Sequence, residues 1–230
     1  MTHTTAYGLE NFWQQSDIVI KTVAITLLIM SIASWCAILI RSLHVLYWKK
    51  LSAQTGAFWQ APTPVEGIKS LDNSKGDNPF YFLAAESQNA VEHHREHKDD
   101  LENLLPLTEW LTLSLRHAID ASTEKLQGGM GLLASVGSTS PFIGLFGTVW
   151  GIYHALGSIS MAGHANISAV AGPVGEALIM TAFGLVVAIP AVLGYNAVNR
   201  ANKRQINKLN RFAHELHAWY LTGAKPQIRQ

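Results

Sequence analysis

Apolar and polar residues alternate along this chain in long blocks rather than residue by residue. Thr22 to Ile40 (TVAITLLIMSIASWCAILI) is an unbroken apolar run bounded by Lys21 and Arg41. A second apolar block, rich in glycine, covers 135–159, and a third covers 177–199 and ends at Arg200. A bilayer core takes about 20 helical residues at roughly 1.5 Å each, so every block is long enough to cross it. Between the second and third lies SMAGHANISAVAGP (160–173), small and mildly polar, which reads as a turn. The pattern predicts an all-α, three-span membrane protein. Its expected parts are an outer tail at 1–17, transmembrane helices at 18–41, 134–158 and 174–198, a short outer turn at 159–173, a cytoplasmic helical domain at 42–133 and a C-terminal helix at 199–230.

The polar parts also read as helical. The 51–80 stretch holds Gly56, Pro62, Pro64, Gly67, Gly76 and Pro79 and is expected to be loop with short helices. From Phe80 to Leu105 charged and apolar residues follow a helical period, and Pro106 suits the first turn of a further helix. Leu107, Trp110, Leu111, Leu115, Ala118 and Ile119 form a stripe expected to run on as one long helix into the second span. In the tail Ile206, Leu209, Ala213, Leu216 and Tyr220 are spaced 3, 4, 3, 4, an a/d seam whose backward extension falls on Asn202 and Asn199. Two heptads are too few for an autonomous coiled coil, so the tail is expected to pack on the helix preceding the second span.

Charge sharpens this picture. The chain has 17 Lys and Arg and 16 Asp and Glu, yet none at 22–40, 126–175 or 177–199. From 126 to 199 the one formally charged side chain is Glu176. Arg41, Lys49 and Lys50 follow the first span, and Arg200, Lys203, Arg204, Lys208, Arg211, Lys225 and Arg229 follow the third; the outer segments carry no Lys or Arg before Lys21. This bias predicts an outward N-terminus and a cytoplasmic C-terminus. The first 17 residues lack a basic region and an A-x-A-like site, so the first run is expected to be an uncleaved anchor. An apolar content of 48% excludes disorder, the single Cys36 excludes a disulfide scaffold, and a net charge of +1 argues against a nucleic-acid partner.

The spans differ in kind. The first is bulky, as suits a lipid-facing helix. In the second, Gly137, Gly144 and Gly151 recur every seven residues, and Ser140, Gly144, Gly147, Thr148 and Gly151 share a face. In the third, Ala177, Thr181, Gly184, Ala188 and Ala191 do the same. Such residues let helix backbones approach closely. The pattern leaves open whether they pack one chain's helices or also line an interior shared between copies.

Glu176 carries more weight. A charge in the bilayer interior costs at least about 2.5–3.5 kcal/mol, so such a group is normally paired, protonated or hydrated. One reading places it at the outer helix end, solvated and capping beside Gly172–Pro173; that reading fails if the helix begins earlier, near Ile167. The functional reading is a protonatable site in an ion pathway. Thr148 and Thr181 are its natural companions, because a hydroxyl both donates and accepts.

Other candidates fall away. His93, His94 and His97 with Glu92 and Glu96 lack HExxH or a further ligand cluster and read as a solvated helix, so no metal is expected. Gly128, Gly129 and Gly131 and the glycines of 144–151 have no GK[ST] and no preceding strand, so no nucleotide or other cofactor is expected. Ser138 and His154 lie 16 residues apart on one helix, about 24 Å, too far for a nucleophile and its base. An enzyme is therefore not expected. Asn166–Ile167–Ser168 fits a glycosylation sequon, a pattern common by chance.

At this point the residues resemble a known family. PFIGLFGTVWGIYHAL (141–156) followed by AGPVGEALIMTAFGLVVAIPAVLGYN (171–196), with DIVIK (17–21) and SIASW (31–35), is similar to the ExbB/TolQ branch of the MotA/TolQ/ExbB proton-channel family. The likeness covers the first span and most of 131–196, whereas 42–130 matches only in position and approximate length. It implies a bacterial inner-membrane homopentamer whose pore encloses the single helices of an ExbD- or TolR-like partner bearing a membrane aspartate. Proton flow would then energise TonB, for outer-membrane uptake of iron-siderophore, haem or vitamin B12, or TolA in the Tol-Pal system. Under the resemblance Glu176 is the pore glutamate, and Thr148 and Thr181 are polar pore positions. Met180 and Phe183 are bulkier than the family leads one to expect there. DIVIK, GIYHAL, GPVGEAL and FAHELHAW (212–219) favour the ExbB side, and three spans rather than four disfavour a MotA-like stator. A passive membrane scaffold, with Glu176 structural, remains the alternative from a different class.

Overall fold

The computed structural model describes residues 17–71, 76–96, 106–162 and 167–225, with side chains except at 158–162 and 167–171. Among the described residues every regular element is helical. In chain order these are α1 (Ile18–Ser52), α2 (Thr55–Gln60), α3 (Pro64–Ser70), α4 (Pro79–Glu96), α5 (Leu107–Gln127), α6 (Met130–Ala162) and α7 (Ile167–Thr222). Of these, α1, α6 and α7 are long and apolar enough to cross a membrane. Two compact units result, one from the residues up to Ile40 and Gly129–Ala197, the other from Arg41–Gly128 and the residues after Ala197.

In the apolar unit the core is thin and the outside is greasy. Ile20, Val23 and Leu27 of α1, Val136 of α6 and Met180, Val187 and Ala191 of α7 are buried together. Ile25, Leu28, Ile32, Phe142, Phe146, Val186 and Ile189 are exposed. That inversion is what a bilayer permits, since lipid tails solvate apolar side chains as well as a protein core does.

The polar unit has a conventional core. Leu51, Phe58, Trp59, Phe80, Leu83, Leu111, Leu115, Leu209, Phe212, Leu216 and Trp219 are buried in one cluster. Phe58 sits at its centre, edge-on to Trp59, Phe212 and Trp219 at centroid distances of 4.9, 5.1 and 5.8 Å. Thr63 caps α3 through Glu66 N, and Asn78 Oδ1 accepts from Phe80 N at 3.0 Å to start α4.

The structure moves two expected boundaries. The long helix expected from Leu107 into the second span is interrupted, because α5 ends at Gln127 and α6 starts at Met130. Gly129 adopts φ +71°, a left-handed conformation that glycine takes freely and that stops an α-helix. The expected 159–173 turn is mostly helix: α6 runs to Ala162 and α7 starts at Ile167, leaving 163–166 outside the described residues. Serine, alanine and methionine do not break a helix, and Pro173 is accommodated inside α7. The helix expected over 80–105 is seen to Glu96, with 97–105 outside the described residues, as are 1–16 and 226–230. The seam of the tail is wider than expected, because Phe212 and Trp219 are buried beside Leu209, Ala213 and Leu216. The tail meets α5 as expected, through Thr112 and His217 at 3.2 Å, and also α4, where Tyr220 Oη donates to Gln88 Oε1 at 2.8 Å.

Candidate functional site

The small residues of α6 and α7 meet each other. A Cβ placed on Gly144 would stand 2.6 Å from the Met180 carbonyl oxygen and 3.0 Å from Gly184 Cα; one on Gly184 would stand 2.7 Å from the Ser140 carbonyl oxygen. Further along, Gly151 faces Ala177 and Gly137 faces Val192, each with less than 3 Å to spare for a Cβ. Ala188 and Ala191 are buried on the same side of α7. These glycines thus serve close packing within one chain. Gly147 faces Met180 and Val23. Met180 is fully buried in this seam, so its bulk fills the gap that Gly147 leaves, and Phe183 packs partly buried on the same core.

Two of the three expected polar residues come together in that seam. Thr148 Oγ1 and Thr181 Oγ1 are 2.5 Å apart, and the Thr148 hydroxyl also lies 3.0 Å from the Ala177 carbonyl oxygen and 3.2 Å from that of Gly144. A hydroxyl has one proton to donate, so one of these contacts is its donation and the Thr181 hydroxyl can supply the other proton. Ser140 likewise returns its hydroxyl to the Val136 carbonyl. The pair is a buried polar link in an apolar layer.

Glu176 is not in that link. It is half-buried, and its carboxyl makes no hydrogen bond or ion pair among the described residues. Its neighbour Ala177 is fully buried, while Leu178 and Ile179 are exposed. α7 starts at Ile167, nine residues before Glu176, so Glu176 lies about 14 Å inside the helix and is not an N-terminal cap. The carboxyl therefore stands well inside an apolar stretch of helix, next to the buried Ala177 of the seam.

Asp17 and Trp150 form a contact that the sequence reading missed. Asp17, directly before α1, accepts through Oδ1 from Ile18 N at 2.7 Å and through Oδ2 from Trp150 Nε1 at 3.1 Å. The signal was present: an aspartate stands directly before the first apolar helical residue. The Trp150 hydrogen bond is the main reason the carboxyl titrates below 3.8, followed by the Ile18 N–H. A lowered folded value means that Asp17 stabilises above its unfolded pKa and loses that stabilisation as pH falls through the folded one. In melts of the full-length protein from neutral to acid pH, Trp150→Phe is expected to narrow the pH dependence; an unchanged difference would show that the tie contributes nothing. Ser138 bonds within its own helix to the Ser135 carbonyl and His154 stacks on Trp150, so neither forms a nucleophile–base pair with the other.

With this geometry in place, comparison with known proteins defines the class. The MotA/TolQ/ExbB proton channel family matches residues 84–211, more than half of the chain, and the chain belongs to that family. It is 44% identical over 207 residues to the Biopolymer transport protein ExbB of Xanthomonas campestris pv. campestris, covering 88% of this chain and 82% of the relative. It is 39% identical over 215 residues to the protein of the same name from Neisseria meningitidis, covering 91% and 96%. The Tol-Pal system protein TolQ of Pseudomonas aeruginosa is 33% identical over 220 residues, covering 94% and 92%.

Proposed function

We propose that this protein is the proton-channel subunit of an inner-membrane complex of the ExbB type, which uses proton motive force to energise a TonB-like protein for uptake across the outer membrane. The carrying observation is Glu176, a carboxyl about 14 Å into an otherwise uncharged stretch of α7 and without a side-chain partner among the described residues. In this reading five copies surround the single helices of an ExbD-like partner whose membrane aspartate exchanges a proton with Glu176. Thr148 and Thr181 hold the adjacent polar level. The N-terminus faces the periplasm and the basic C-terminal tail the cytoplasm, in keeping with the distribution of Lys and Arg.

Membership in the family supports the channel class, and the higher identities to ExbB proteins favour that branch over TolQ. The TolQ likeness over 94% of the chain supports a second reading, a subunit of a Tol-Pal system. Deleting the gene separates them. Growth on siderophore-bound iron is expected to fail while resistance to detergents persists; the reverse phenotype would assign the Tol-Pal reading. Affinity purification from native membranes is expected to recover a single-span protein with an aspartate in its span, and recovery of this chain alone would count against both.

A further inference from the structure

Five buried polar side-chain atoms lack hydrogen-bond partners among the described residues; beside Trp110 Nε1 on α5, four lie on α1 and α7: His44 Nε2, Trp48 Nε1, Asn202 Oδ1 and Gln205 Oε1. An unsatisfied buried donor or acceptor costs about 1–3 kcal/mol, so a cluster of four demands either water or a ligand. All four lie in the polar unit, and two contacts bring them to one level. Lys208 Nζ reaches Ser52 Oγ at 3.0 Å, which sets α1 and α7 side by side. Further back on each helix, Arg41 donates to the Lys125 carbonyl at 3.4 Å and Asn202 Nδ2 to the adjacent Leu126 carbonyl at 2.9 Å. Carrying the Ser52–Lys208 register back with equal rise on the two helices puts His44 opposite Arg200 and Trp48 opposite Arg204, within two residues, about 3 Å, of Asn202 and Gln205. The His44 and Trp48 rings are 5.7 Å apart.

Trp48 also borders a cavity. It has a volume of about 220 Å³ and is lined by Trp48, Asp77, Asn78, Tyr81, Ser122 and Lys125. It is roomy enough for several waters. The charged groups acting on His44 are Arg41 on its own helix and Asp77 in the segment before α4; Lys125 on α5 is 3.7 Å from Asp77, and Lys203 and Arg204 on α7 are exposed. Burial and Arg41 favour the neutral ring, and Asp77 opposes them.

We propose that this layer binds ordered water and that His44 passes protons through it, as a relay on the C-terminal-tail side of the channel. With the neutral ring's proton on Nδ1, Nε2 offers a lone pair. An excess proton on a bound water moves to Nε2, leaving neutral water and an imidazolium, and release to a second water towards the Asp77 cavity restores the ring. Asn202 and Gln205 accept from those waters, and Trp48 donates to one. The relay rests on the proton-channel reading, whereas the hydration of the layer does not.

The test uses the full-length protein in lipid bilayers with ¹⁵N-labelled histidine, the His44 signal being assigned by its loss in His44→Gln. Polarisation transfer from water to the His44 ring is expected to be as fast as to exposed histidines, and Gln205→Leu should slow it at least about twofold by removing an acceptor. A ring that receives polarisation as slowly as the apolar core overturns the proposal. Proton flux is then measured in vesicles carrying the complete native complex, normalised to assembled complex. His44→Gln and Gln205→Leu should each lower it about fivefold or more. A hydrated ring with unchanged flux in both variants, while Glu176→Gln stops flux, overturns the relay and leaves the channel reading intact. Flux that survives Glu176→Gln removes the channel reading and the relay with it.

Discussion

Glu176→Gln is expected to accumulate and assemble like the wild type and yet to abolish proton-driven uptake, whereas Glu176→Asp should retain part of it. Glutamine keeps the shape of the side chain and removes only the titratable proton. An ionised carboxylate in a bilayer costs at least about 2.5–3.5 kcal/mol, so the neutral amide inserts at least as easily. A loss of activity therefore cannot be assigned to failed insertion. The Glu176 carboxyl makes no hydrogen bond or ion pair among the described residues, so the substitution leaves no described side-chain partner unsatisfied. The measurement is siderophore-dependent growth at matched protein level. Normal growth of Glu176→Gln would sink proton relay through this residue and favour a scaffold in which the carboxyl is merely tolerated. Thr148 and Thr181 give a graded companion. They are joined at 2.5 Å within the seam, so Thr148→Val perturbs packing and polarity together and cannot separate the two roles as Glu176→Gln does.

The membrane helices were legible because their signal is local and large. Stretches of 19 residues or more without a charge admit few other readings in an α protein. The position of Glu176 was legible in type but not in depth. The residues ahead of it, small and mildly polar, are compatible with turn or helix, and only the start of α7 at Ile167 decides between a capping carboxyl and one well inside the helix. What accommodates the bulk of Met180 was not legible, for a related reason. Helical spacing places it near the Glu176 face, but its true neighbour is the gap over Gly147, which depends on how two helices are set against each other. The break at Gly128–Gly129 was open to view as a glycine pair, yet glycine is allowed in a helix and in a left-handed turn, and packing chose the turn. The aromatic cluster of the polar unit was beyond reach. Phe58 and Phe212, 5.1 Å apart in space, lie far apart in sequence, and Phe58 falls in a stretch whose prolines and glycines read as loop with short helices. Asp17 is a different case, since its place directly before the first helix was readable but its bond to Trp150 Nε1 was not.

Gly144 is expected to be the least replaceable of the small residues. Its Cβ would meet backbone on both sides, the Met180 carbonyl oxygen at 2.6 Å and Gly184 Cα at 3.0 Å. Neither can move aside as a flexible side chain would, so the helices must separate. Separation would stretch the Thr148–Thr181 contact and open the packing of Gly184 on Ser140 and Pro141. Overpacking of this kind costs about 1–3 kcal/mol for a single added methyl, and more for a branched side chain. Against this, alanine gains about 1 kcal/mol over glycine in helix propensity. Where a glycine meets nothing within 4 Å, as at Gly131 and Gly157, only the gain remains. Gly144→Ala should therefore lower the melting temperature of the full-length protein in detergent, and Gly144→Leu should reduce its accumulation in the membrane severalfold. Gly157→Ala, on the same helix, should be neutral or slightly stabilising. If Gly144→Ala melts with Gly157→Ala at or above the wild-type temperature, α6 and α7 do not approach as closely at that level as the backbone contact requires. The order of these three variants also separates packing from chemistry, because none of them touches a titratable group. An uptake defect in Gly144→Ala that tracks protein level would belong to the seam, and one at full protein level would mean that the spacing of α6 and α7 sets the geometry around Glu176.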